Sequence, residues 1–373
     1  MTTTPDQPTP RRGAVTNAVG RYERFTRERE PDGWEQAPPE RAEGAESEDL
    51  DDWDDLPPLR TTVQRDASRS ILARNTSPDI PFDRSINPYR GCEHGCVYCF
   101  ARPSHAYLGL SPGLDFESRL FEKPDAPALL EAELRRKSYR CAPIAIGTNT
   151  DPYQPIERER RIMRGVLEVL RDYNHPVTIV TKSALVARDI DILAPMAAKR
   201  LVRVAISVTT LDRGLQKVLE PRAATPGARL TAMKALVDAG IPTAVMVAPV
   251  IPALTDHELE RILEQAALAG ADAAGWIFLR LPLEIRDLFE EWLRTHRPDR
   301  AERVLSLIRQ ARDGVLYQSA WGKRMTGSGP IAEMIGARFR IAARRFGMEP
   351  RDLALDCTQF RPPPRAGDQL ALL

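Results

Sequence analysis

The sequence predicts an α/β fold built on parallel strands, and two patterns carry this prediction. The first is a series of short apolar runs, which is typical of parallel strands buried on both faces. The runs are PIAIGT (143–148), VTIVTK (177–182), VRVAISV (202–208), PTAVMVAPV (242–250) and GWIFLRL (275–281). The second is the helical spacing of apolar residues between these runs, which makes strands and helices alternate along the chain.

Two of the helices are recognisable from individual residues. One places apolar side chains on a single face, at Ile162, Met163, Val166, Leu167 and Leu170. Another is predicted to begin at a capping box formed by Thr255 and Glu258. With a first strand near residues 85–90, the series amounts to about six βα units. Such a series forms a doubly wound sheet or a barrel, and six units fit a partial (β/α)6 barrel that is open on one side.

The regions before and after the barrel have a different composition. Residues 1–60 are rich in Pro and charge, and residues 43–55 hold eight acids and no base, which predicts a disordered tail. The barrel is assigned to residues 61–282. Helical patterns at 283–294, 300–311 and 330–346 predict a C-terminal helical extension over residues 283–363, and residues 364–373 are predicted to be a loose tail.

Composition limits the class of protein. The chain has 373 residues, 42% of them hydrophobic, and a formal net charge of +1, so global charge gives no argument for nucleic acid. No apolar run approaches the roughly 18 residues needed to span a bilayer, and the first residues lack the apolar core of a signal peptide. We therefore expect a cytoplasmic protein without membrane contact. The sequence does not indicate an oligomeric state.

Three of the five cysteines form one tight motif, Cys92, Cys96 and Cys99, with the spacing C-x3-C-x2-C. In a reducing cytosol this crowding indicates metal binding rather than disulfides. Thiolates select zinc or iron–sulfur clusters. A structural zinc ion needs a fourth protein ligand, for which the candidates are His94, His105, Cys141 and Cys357. Three thiolates alone suit a 4Fe–4S cluster with one iron open to an external ligand.

With Tyr98 between its last two cysteines and a predicted strand before it, this motif resembles the signature of the radical S-adenosylmethionine (radical SAM) superfamily. The resemblance implies that Cys92, Cys96 and Cys99 hold a 4Fe–4S cluster whose open iron binds SAM. In that superfamily an electron from the reduced cluster cleaves SAM to methionine and a 5′-deoxyadenosyl radical, which abstracts hydrogen from the substrate. It also implies a reductase or flavodoxin-type electron donor.

Polar residues at the ends of the predicted strands are the candidate SAM contacts, because barrel sites are built at the C-terminal ends of strands. The candidates are Gly147, Thr148, Asn149, Asp151, Lys182, Ser207 and Arg222. Each also has a structural interpretation. Residues 147–151 fit an Asn- and Asp-rich turn, Lys182 can reach solvent, and Ser207 can bond to the backbone. Arg222 can form an ion pair with Glu220.

Four segments resemble the spore photoproduct lyase branch, also called DNA-repair-photolyase-like: RGCEHGCVYC, TNTDPYQP, the Lys182–Ser183 pair and ISVTT. That lyase reverses a thymine lesion and carries a hydrogen-donating cysteine at the end of its second strand. The corresponding position here is Gly147, and Cys141 precedes the strand. The resemblance therefore indicates ancestry rather than the same reaction.

The substrate class stays open at this level. Residues 321–345 hold six basic residues and one acid, which fits either a phosphate-backbone contact or a solvated helix face. Three hypotheses follow. The first is a radical SAM enzyme acting on nucleic acid or a nucleotide. The second is a radical SAM enzyme modifying a protein or a metabolite. The third is a zinc-stabilised, non-catalytic binding module.

Overall fold

A computed structural model describes residues 11–23, 60–348 and 354–364. Within these ranges the strands form two sheets. The strands are β1 (Thr62–Arg65), β2 (Leu72–Arg74), β3 (Arg84–Ile86), β4 (Tyr89–Arg90), β5 (Arg119–Glu122), β6 (Ile144–Ile146), β7 (Val177–Thr181), β8 (Val202–Ser207), β9 (Thr243–Val250) and β10 (Ala273–Phe278).

The main sheet has seven strands in the order β10-β9-β8-β7-β6-β3-β2. All neighbours from β3 to β10 pair in parallel, and β2 pairs antiparallel with β3 at the edge. Four of the six parallel strands lie within the predicted apolar runs and β10 overlaps the fifth run, which confirms the predicted α/β class with a parallel sheet. The runs are apolar because helices cover one face while the other faces the barrel interior.

In the described residues, one or two α-helices separate consecutive strands from β5 to β10, and three more follow β10. The helices are α1 (Leu114–Ser118), α2 (Ala126–Leu134), α3 (Glu157–Arg160), α4 (Ile162–Asp172), α5 (Ile190–Ala198), α6 (Arg213–Leu219), α7 (Pro226–Asp238), α8 (Leu259–Leu268), α9 (Ile285–His296), α10 (Ala301–Gln310) and α11 (Gly329–Arg345). The predicted apolar face of α4 is buried. None of the helices in the described ranges is long and apolar enough to cross a lipid bilayer.

The predicted capping box before α8 is wrong. A 3-10 turn over Asp256–Glu258 precedes the helix, and Thr255 accepts a hydrogen bond from the backbone of Ile251 at 3.0 Å instead of capping α8. The Glu258 carboxylate accepts hydrogen bonds from the Thr210 hydroxyl at 2.5 Å and from the Leu211 N–H at 3.0 Å. Both polar side chains therefore join the loops above the sheet, because their tertiary partners outcompete the local cap.

The sheet ends at β2 on one side and β10 on the other, and loops connect these two edges. The loop between Gln310 and Gly329 is joined to β10, because Phe278 N–H donates to Met325 O at 2.8 Å. Asp79, in the loop between β2 and β3, accepts hydrogen bonds from Gly322 N–H at 2.8 Å and from Arg324 Nε at 2.7 Å. Asp79 and Arg324 are both mostly buried, so this ion pair holds the two loops together across the open side.

The C-terminal helices pack on the outside of the barrel. Helix α11 contacts α8 and β10, and it buries Ile335, Phe339 and Ala342. The fully buried Trp292 of α9 donates its indole N–H to Val218 O at 3.0 Å. Part of the basic charge of residues 321–345 is neutralised internally, because Arg324 pairs with Asp79 and Arg338 with Glu260.

The N-terminal residues 11–23 differ from the predicted disordered tail. Arg12, Gly13, Ala14 and Val15 are buried, and both Gly13 N–H and Ala14 N–H donate to the Glu117 carboxylate at 2.9 Å. Because these contacts join residues that are far apart in the sequence, no local sequence pattern predicts them. The remaining residues of the predicted tail, 1–10 and 24–59, lie outside the described residues, as does the acidic block at 43–55.

Candidate active site

A cavity opens at the C-terminal ends of the parallel strands, as the barrel prediction expects. It encloses about 950 Å³ of empty space, counting its open mouth. Its walls come from the cysteine loop, from the strand ends and from the residues after them: Cys92, His94, Cys96, Tyr98, Cys99, Phe100, Gly147, Thr148, Asn149, Thr150, Asp151, Val180, Thr181, Lys182, Ser207, Met246, Ala248, Pro249, Ile277, Phe278 and Arg280. Since β6 and β10 are separated by three strands yet contribute to one cavity, the sheet curves around it.

The cysteine loop follows β4 and is held by its backbone. Gly91 and Gly95 have φ angles of +75° and +68°, which L side chains rarely adopt. The Cys92 N–H donates to Phe116 O at 2.9 Å, and the Cys99 N–H donates to Cys96 O at 3.1 Å. These turns bring Cys92, Cys96 and Cys99 to the same cavity.

Behind this loop lies Arg102, a fully buried arginine. Its guanidinium donates to Cys96 O at 2.9 Å and to Gly95 O at 3.1 Å, and it forms an ion pair with the buried Glu117. Glu117 also accepts the two N-terminal amide hydrogen bonds described above. A continuous buried network therefore connects residues 12–14 to the loop that carries the cysteines.

The three thiols fit an iron–sulfur cluster better than a single metal ion. Burial raises the pKa of Cys92, Cys96 and Cys99, so the thiols stay protonated until a metal group binds and deprotonates them. Among the described residues, no three His, Cys, Asp or Glu side chains are placed to hold one metal ion. In a 4Fe–4S cluster each thiolate binds a different iron, so the sulfurs stand apart around the cube.

The segment after β6 forms one wall of the cavity. Gly147 has a φ angle of +88°, and a Cβ at this position would lie 2.0 Å from Val180 O. Asn149 N–H donates to the Asn87 side-chain oxygen at 2.9 Å, and Thr148 Oγ1 lies 3.3 Å from the Asn87 amide nitrogen. Asn87 was not among the predicted site residues. It follows β3 and orients this turn toward the cavity.

Asp151 closes the same turn against the next strand. Its carboxylate accepts hydrogen bonds from the Thr181 hydroxyl and from the Lys182 N–H, both at 2.7 Å, and lies 3.4 Å from His94 Nδ1. Burial opposes ionisation of Asp151, but His94 and these hydrogen bonds outweigh it and lower the pKa. Asp151 is therefore an anchor for the turn, in addition to lining the cavity.

Lys182 lies on the cavity wall and crosses to the ends of β8 and β9. Its Nζ donates to Ser207 Oγ at 2.8 Å, to Thr209 Oγ1 at 3.1 Å and to Ala248 O at 2.8 Å. It also lies 3.4 Å from the carboxylate of the fully buried Glu220. The structure thus brings the predicted residues Lys182 and Ser207 together at the rim.

Glu220 is the centre of a buried ionic group. Burial would raise the pKa of Glu220, but the charges of Arg229 and Lys182 lower it overall. Arg229 is fully buried in α7 and also donates to Ser207 O at 2.9 Å. The sequence analysis missed Arg229. Its position in the otherwise apolar buried stripe of α7 is the signal that identifies it.

Arg222 differs from its prediction as a SAM contact, because it is not among the residues that line the cavity. Its guanidinium pairs with Glu93 at 2.9 Å, and its backbone N–H donates to His94 O at 3.2 Å. The chain turns after α6, so Arg222 packs against the back of the cysteine loop. The alternative interpretation of Arg222, a structural ion pair, is therefore the one observed, with Glu93 as the partner, while Glu220 pairs with Arg229.

Cys141 lies away from the cavity, as its place before β6 predicts. It is not a lining residue, and its thiol interacts with that of Cys357. Burial and the neighbouring Cys357 raise the pKa of Cys141 to about 12. Among the described residues, the cavity therefore contains no thiol besides those of Cys92, Cys96 and Cys99.

Two residues at the rim were given no substrate role by the sequence analysis. Phe100, next to Cys99, is 46% exposed. The guanidinium carbon of Arg280, just beyond β10, lies 5.0 Å from the centre of the Phe100 ring. Both residues line the cavity.

Comparison with known proteins identifies the family. Residues 86–266 match the family model of the radical SAM superfamily. The chain belongs to the radical SAM superfamily. Enzymes of this superfamily use a 4Fe–4S cluster and SAM and require an electron donor. The protein is therefore an enzyme of the radical SAM class, and the alternative of a non-catalytic zinc module is set aside.

Relatives of this radical SAM protein occur in bacteria and archaea. It is 41% identical to an uncharacterized protein of Mycobacterium tuberculosis over 233 residues, which are 62% of this chain and 68% of that protein. It is 29% identical to an uncharacterized protein of Methanocaldococcus jannaschii over 174 residues, which are 46% of this chain and 62% of that protein.

Solved structures show the same fold at low sequence identity. Spore photoproduct lyase complexed with dinucleoside spore photoproduct is 16% identical, with a TM-score of 0.54 over 77% of this chain and 80% of that chain. A variant of that lyase with bound AdoMet and the same dinucleoside is 15% identical, with a TM-score of 0.53. At this identity the likeness extends to the fold of the radical SAM domain.

Proposed function

We propose that Cys92, Cys96 and Cys99 hold the 4Fe–4S cluster and that the strand ends beside them bind SAM. The observation that carries this proposal is that the three thiols and the polar ends of β6, β7 and β8 line one cavity. The SAM-binding residues are Gly147, Thr148, Asn149, Asp151, Lys182 and Ser207. Arg222 is left out because its guanidinium is engaged by Glu93 outside the cavity.

The chain contributes positioning and charge at this site. When bound, the cluster supplies the electron that cleaves SAM. Lys182 carries a positive charge on the cavity wall and has donors suited to a carboxylate or a ribose hydroxyl. Gly147 brings backbone close to the ligand, where any side chain would collide with β7. The apolar residues Met246, Ile277 and Phe278 exclude water from the opposite wall.

We infer that the substrate is nucleic acid. Two exposed aromatic rings, each with an arginine guanidinium beside it, support this inference. Phe100 lies under Arg280, and Trp321, which is 59% exposed, lies 4.2 Å from the Arg324 guanidinium carbon. The loop that carries Trp321 is tied to β10 through Met325. Exposed aromatic faces with adjacent arginines are how single-stranded nucleic acids are bound through base stacking and charge.

The proposed reaction differs from that of spore photoproduct lyase in its hydrogen-return step. The cysteine that donates hydrogen in that lyase corresponds to Gly147, and the left-handed backbone there leaves no room for a side chain. Cys141 is directed to Cys357 rather than to the cavity. We therefore propose an enzyme that shares its ancestry with that lyase and also acts on nucleic acid. It does not use a cysteine at this position to donate hydrogen back to the substrate.

A flavodoxin-type reductase is the proposed electron donor, and the cytoplasm is the proposed compartment. A reduced low-potential donor and a reducing environment are what a cluster of this kind requires. Cys141 and Cys357 are free thiols, which fits a reducing compartment.

The test is anaerobic turnover with deuterated substrates. The chain is reconstituted with iron and sulfide, reduced, and incubated with SAM and deuterated single-stranded DNA, RNA or free nucleotides in separate reactions. We expect deuterium in the 5′-deoxyadenosine formed with a nucleic acid, measured by mass spectrometry, and neither cluster absorbance nor 5′-deoxyadenosine with Cys96→Ala. Parallel reactions contain deuterated peptides or small metabolites. Transfer of deuterium from these alone would overturn the proposed substrate class and leave the radical SAM assignment in place.

A further inference from the structure

Arg280 has an unusual environment for an arginine on a cavity wall. Its Nε is buried and has no hydrogen-bond partner. The contacts of its guanidinium in the described residues are Met325 Sδ, a weak acceptor 3.5 Å from Nη1, and the ring of Phe100. It forms no ion pair within the described ranges. A desolvated cation without an anion is unfavourable unless a ligand supplies the charge.

A second uncompensated arginine lies directly behind it. Arg312 is fully buried, and its Nε also lacks a partner. Its other nitrogens donate to two backbone carbonyls, Leu279 O at 2.8 Å and Lys323 O at 3.0 Å. Burial, together with the charge of Arg280, lowers the pKa of Arg312 to about 10. Two like charges therefore act on the same end of β10.

Two other fully buried arginines each have the carboxylate partner that Arg280 and Arg312 lack in the described residues. Arg102 is paired with Glu117, and Arg229 is paired with Glu220. Both of those pairs lie behind the cavity and serve the fold. Arg312 donates to two backbone carbonyls and Arg280 donates to Met325 Sδ, but neither has a carboxylate partner among the described residues. The electrostatic potential at the β10 side of the cavity mouth is thus positive, because no carboxylate among the described residues pairs with these two guanidinium groups.

We propose that Arg280, with Arg312 behind it, binds a phosphate group of the substrate at the rim of the cavity. This assignment rests on the nucleic-acid substrate proposed above. A guanidinium can fork onto phosphate oxygens with two parallel hydrogen bonds, and Arg280 has no protein anion as a partner among the described residues. Phe100, under the same guanidinium, offers the adjacent face for a base. Arg280 thereby fixes the substrate on the wall opposite to β6.

The experiment compares two probes on the cluster-reconstituted, SAM-bound enzyme under anaerobic conditions. One probe is fluorescently labelled single-stranded DNA of about ten nucleotides, followed by anisotropy. The other is inorganic phosphate, followed by calorimetry. The variants are Arg280→Gln, Arg280→Lys and the matched control Arg309→Gln, which removes an exposed arginine of α10. We expect Arg280→Gln to weaken both probes about tenfold, since a charge-assisted bond contributes about 1.5–3 kcal/mol. The control should change affinity less than about twofold.

Each outcome decides between the two proposals. If the parent binds phosphate through Arg280 but does not bind DNA, the anion site stands and the nucleic-acid substrate fails. If the parent and Arg280→Gln bind DNA and phosphate equally, the anion site is overturned and the nucleic-acid proposal survives. Loss of SAM affinity with unchanged phosphate affinity would assign Arg280 to the SAM carboxylate instead. Arg280→Lys keeps the positive charge but cannot make two parallel hydrogen bonds, so it should lose less affinity than Arg280→Gln. It replaces Arg280→Gln if that variant does not fold.

Discussion

At the residue scale, Gly147 shows how strongly the backbone fixes this cavity. Gly147→Ala adds a Cβ 2.0 Å from Val180 O and forces an L side chain to a φ angle of +88°. Gly240→Ala is the matched control, because its φ angle is +75° and nothing lies within 4 Å of the added Cβ. We expect the control to lose about 1 kcal/mol of unfolding free energy and Gly147→Ala about 2–4 kcal/mol, by denaturant titration. Equal losses at both positions would mean that the turn after β6 can shift away from β7.

Lys182 is the second residue whose role is testable. All three of its donors are used, so SAM must replace one of the acceptors Ser207, Thr209 or Ala248 O. We expect Lys182→Met to weaken SAM binding about tenfold, measured by titration of the reconstituted enzyme, while iron content stays constant. Lys234→Met, which removes an exposed lysine paired with Asp238, is the control. Unchanged SAM affinity in Lys182→Met would restrict this lysine to neutralising Glu220.

The placement of some candidate residues at the cavity could be predicted, because their position follows from local sequence order. Cys92, Cys96 and Cys99 lie within eight residues, and Lys182 and Ser207 end apolar runs, so their placement at one rim follows from parallel pairing. Arg222 follows a helix, where the direction of the chain depends on how α6 packs. Arg229 and Asn87 act through contacts with residues distant in sequence, which no spacing rule reports.

At the scale of elements, the N-terminal segment is a structural support for the cysteine loop. The buried Glu117 carboxylate accepts Gly13 N–H and Ala14 N–H, and it balances Arg102, which in turn holds two carbonyls of that loop. Short strands such as β1, β4 and β5 belong to the same support. Strands β1 and β5 were not predicted, because strands of four residues have too little pattern to be recognised, whereas β4 lies within the strand predicted near residues 85–90.

Truncation tests this support. Removing residues 1–18 deletes two hydrogen bonds to a buried charge, which costs about 3 kcal/mol or more. We expect a lower Tm, a lower iron content after reconstitution and an altered electron paramagnetic resonance signal of the reduced cluster. Removing residues 1–10 is the control, since it keeps residues 11–23 and the hydrogen bonds of Gly13 and Ala14 to Glu117. If both truncations retain iron and show the same signal as the full chain, residues 11–18 do not position the cysteine loop.

At the scale of the whole molecule, the parallel series of strands followed from the sequence, and the contacts that close the barrel did not. Alternating apolar runs and helices specify parallel neighbours, because each crossover returns the chain to the same edge. The closing contacts join Asp79 to Arg324 across the gap between β2 and β10, and both residues lie in loops. The uncompensated charge of Arg280 and Arg312 likewise arises only when distant loops meet. The parts that recognise ligands are thus the parts that depend most on long-range packing.

The whole fold should lose stability in mild acid, because a histidine is buried uncharged where the C-terminal segment meets the base of the barrel. His175 Nε2 lies 2.6 Å from the Tyr139 hydroxyl oxygen, and Phe360 packs edge-on against the imidazole ring. Burial, helped by the charge of Arg84, lowers the pKa of His175 to about 4. An unfolded histidine titrates near 6.5, so between about pH 6.5 and 4 the unfolded state binds more protons, and stability falls as the pH falls through this window. Below about pH 4 both states are protonated, and this contribution is constant.

We expect His175 to account for a decrease of up to about 3 kcal/mol across that window. The measurement is Tm against pH for the parent, His175→Gln and the control His257→Gln, which removes an exposed histidine. All three proteins carry the same cluster loop, so differences between them cancel its own response to acid. His175→Gln should flatten the fall in Tm between pH 6.5 and 4, and His257→Gln should follow the parent. If Tm falls as steeply for His175→Gln as for the parent, the acid response of the fold originates elsewhere. The contact of Phe360 with the imidazole ring then does not depend on the protonation state of His175.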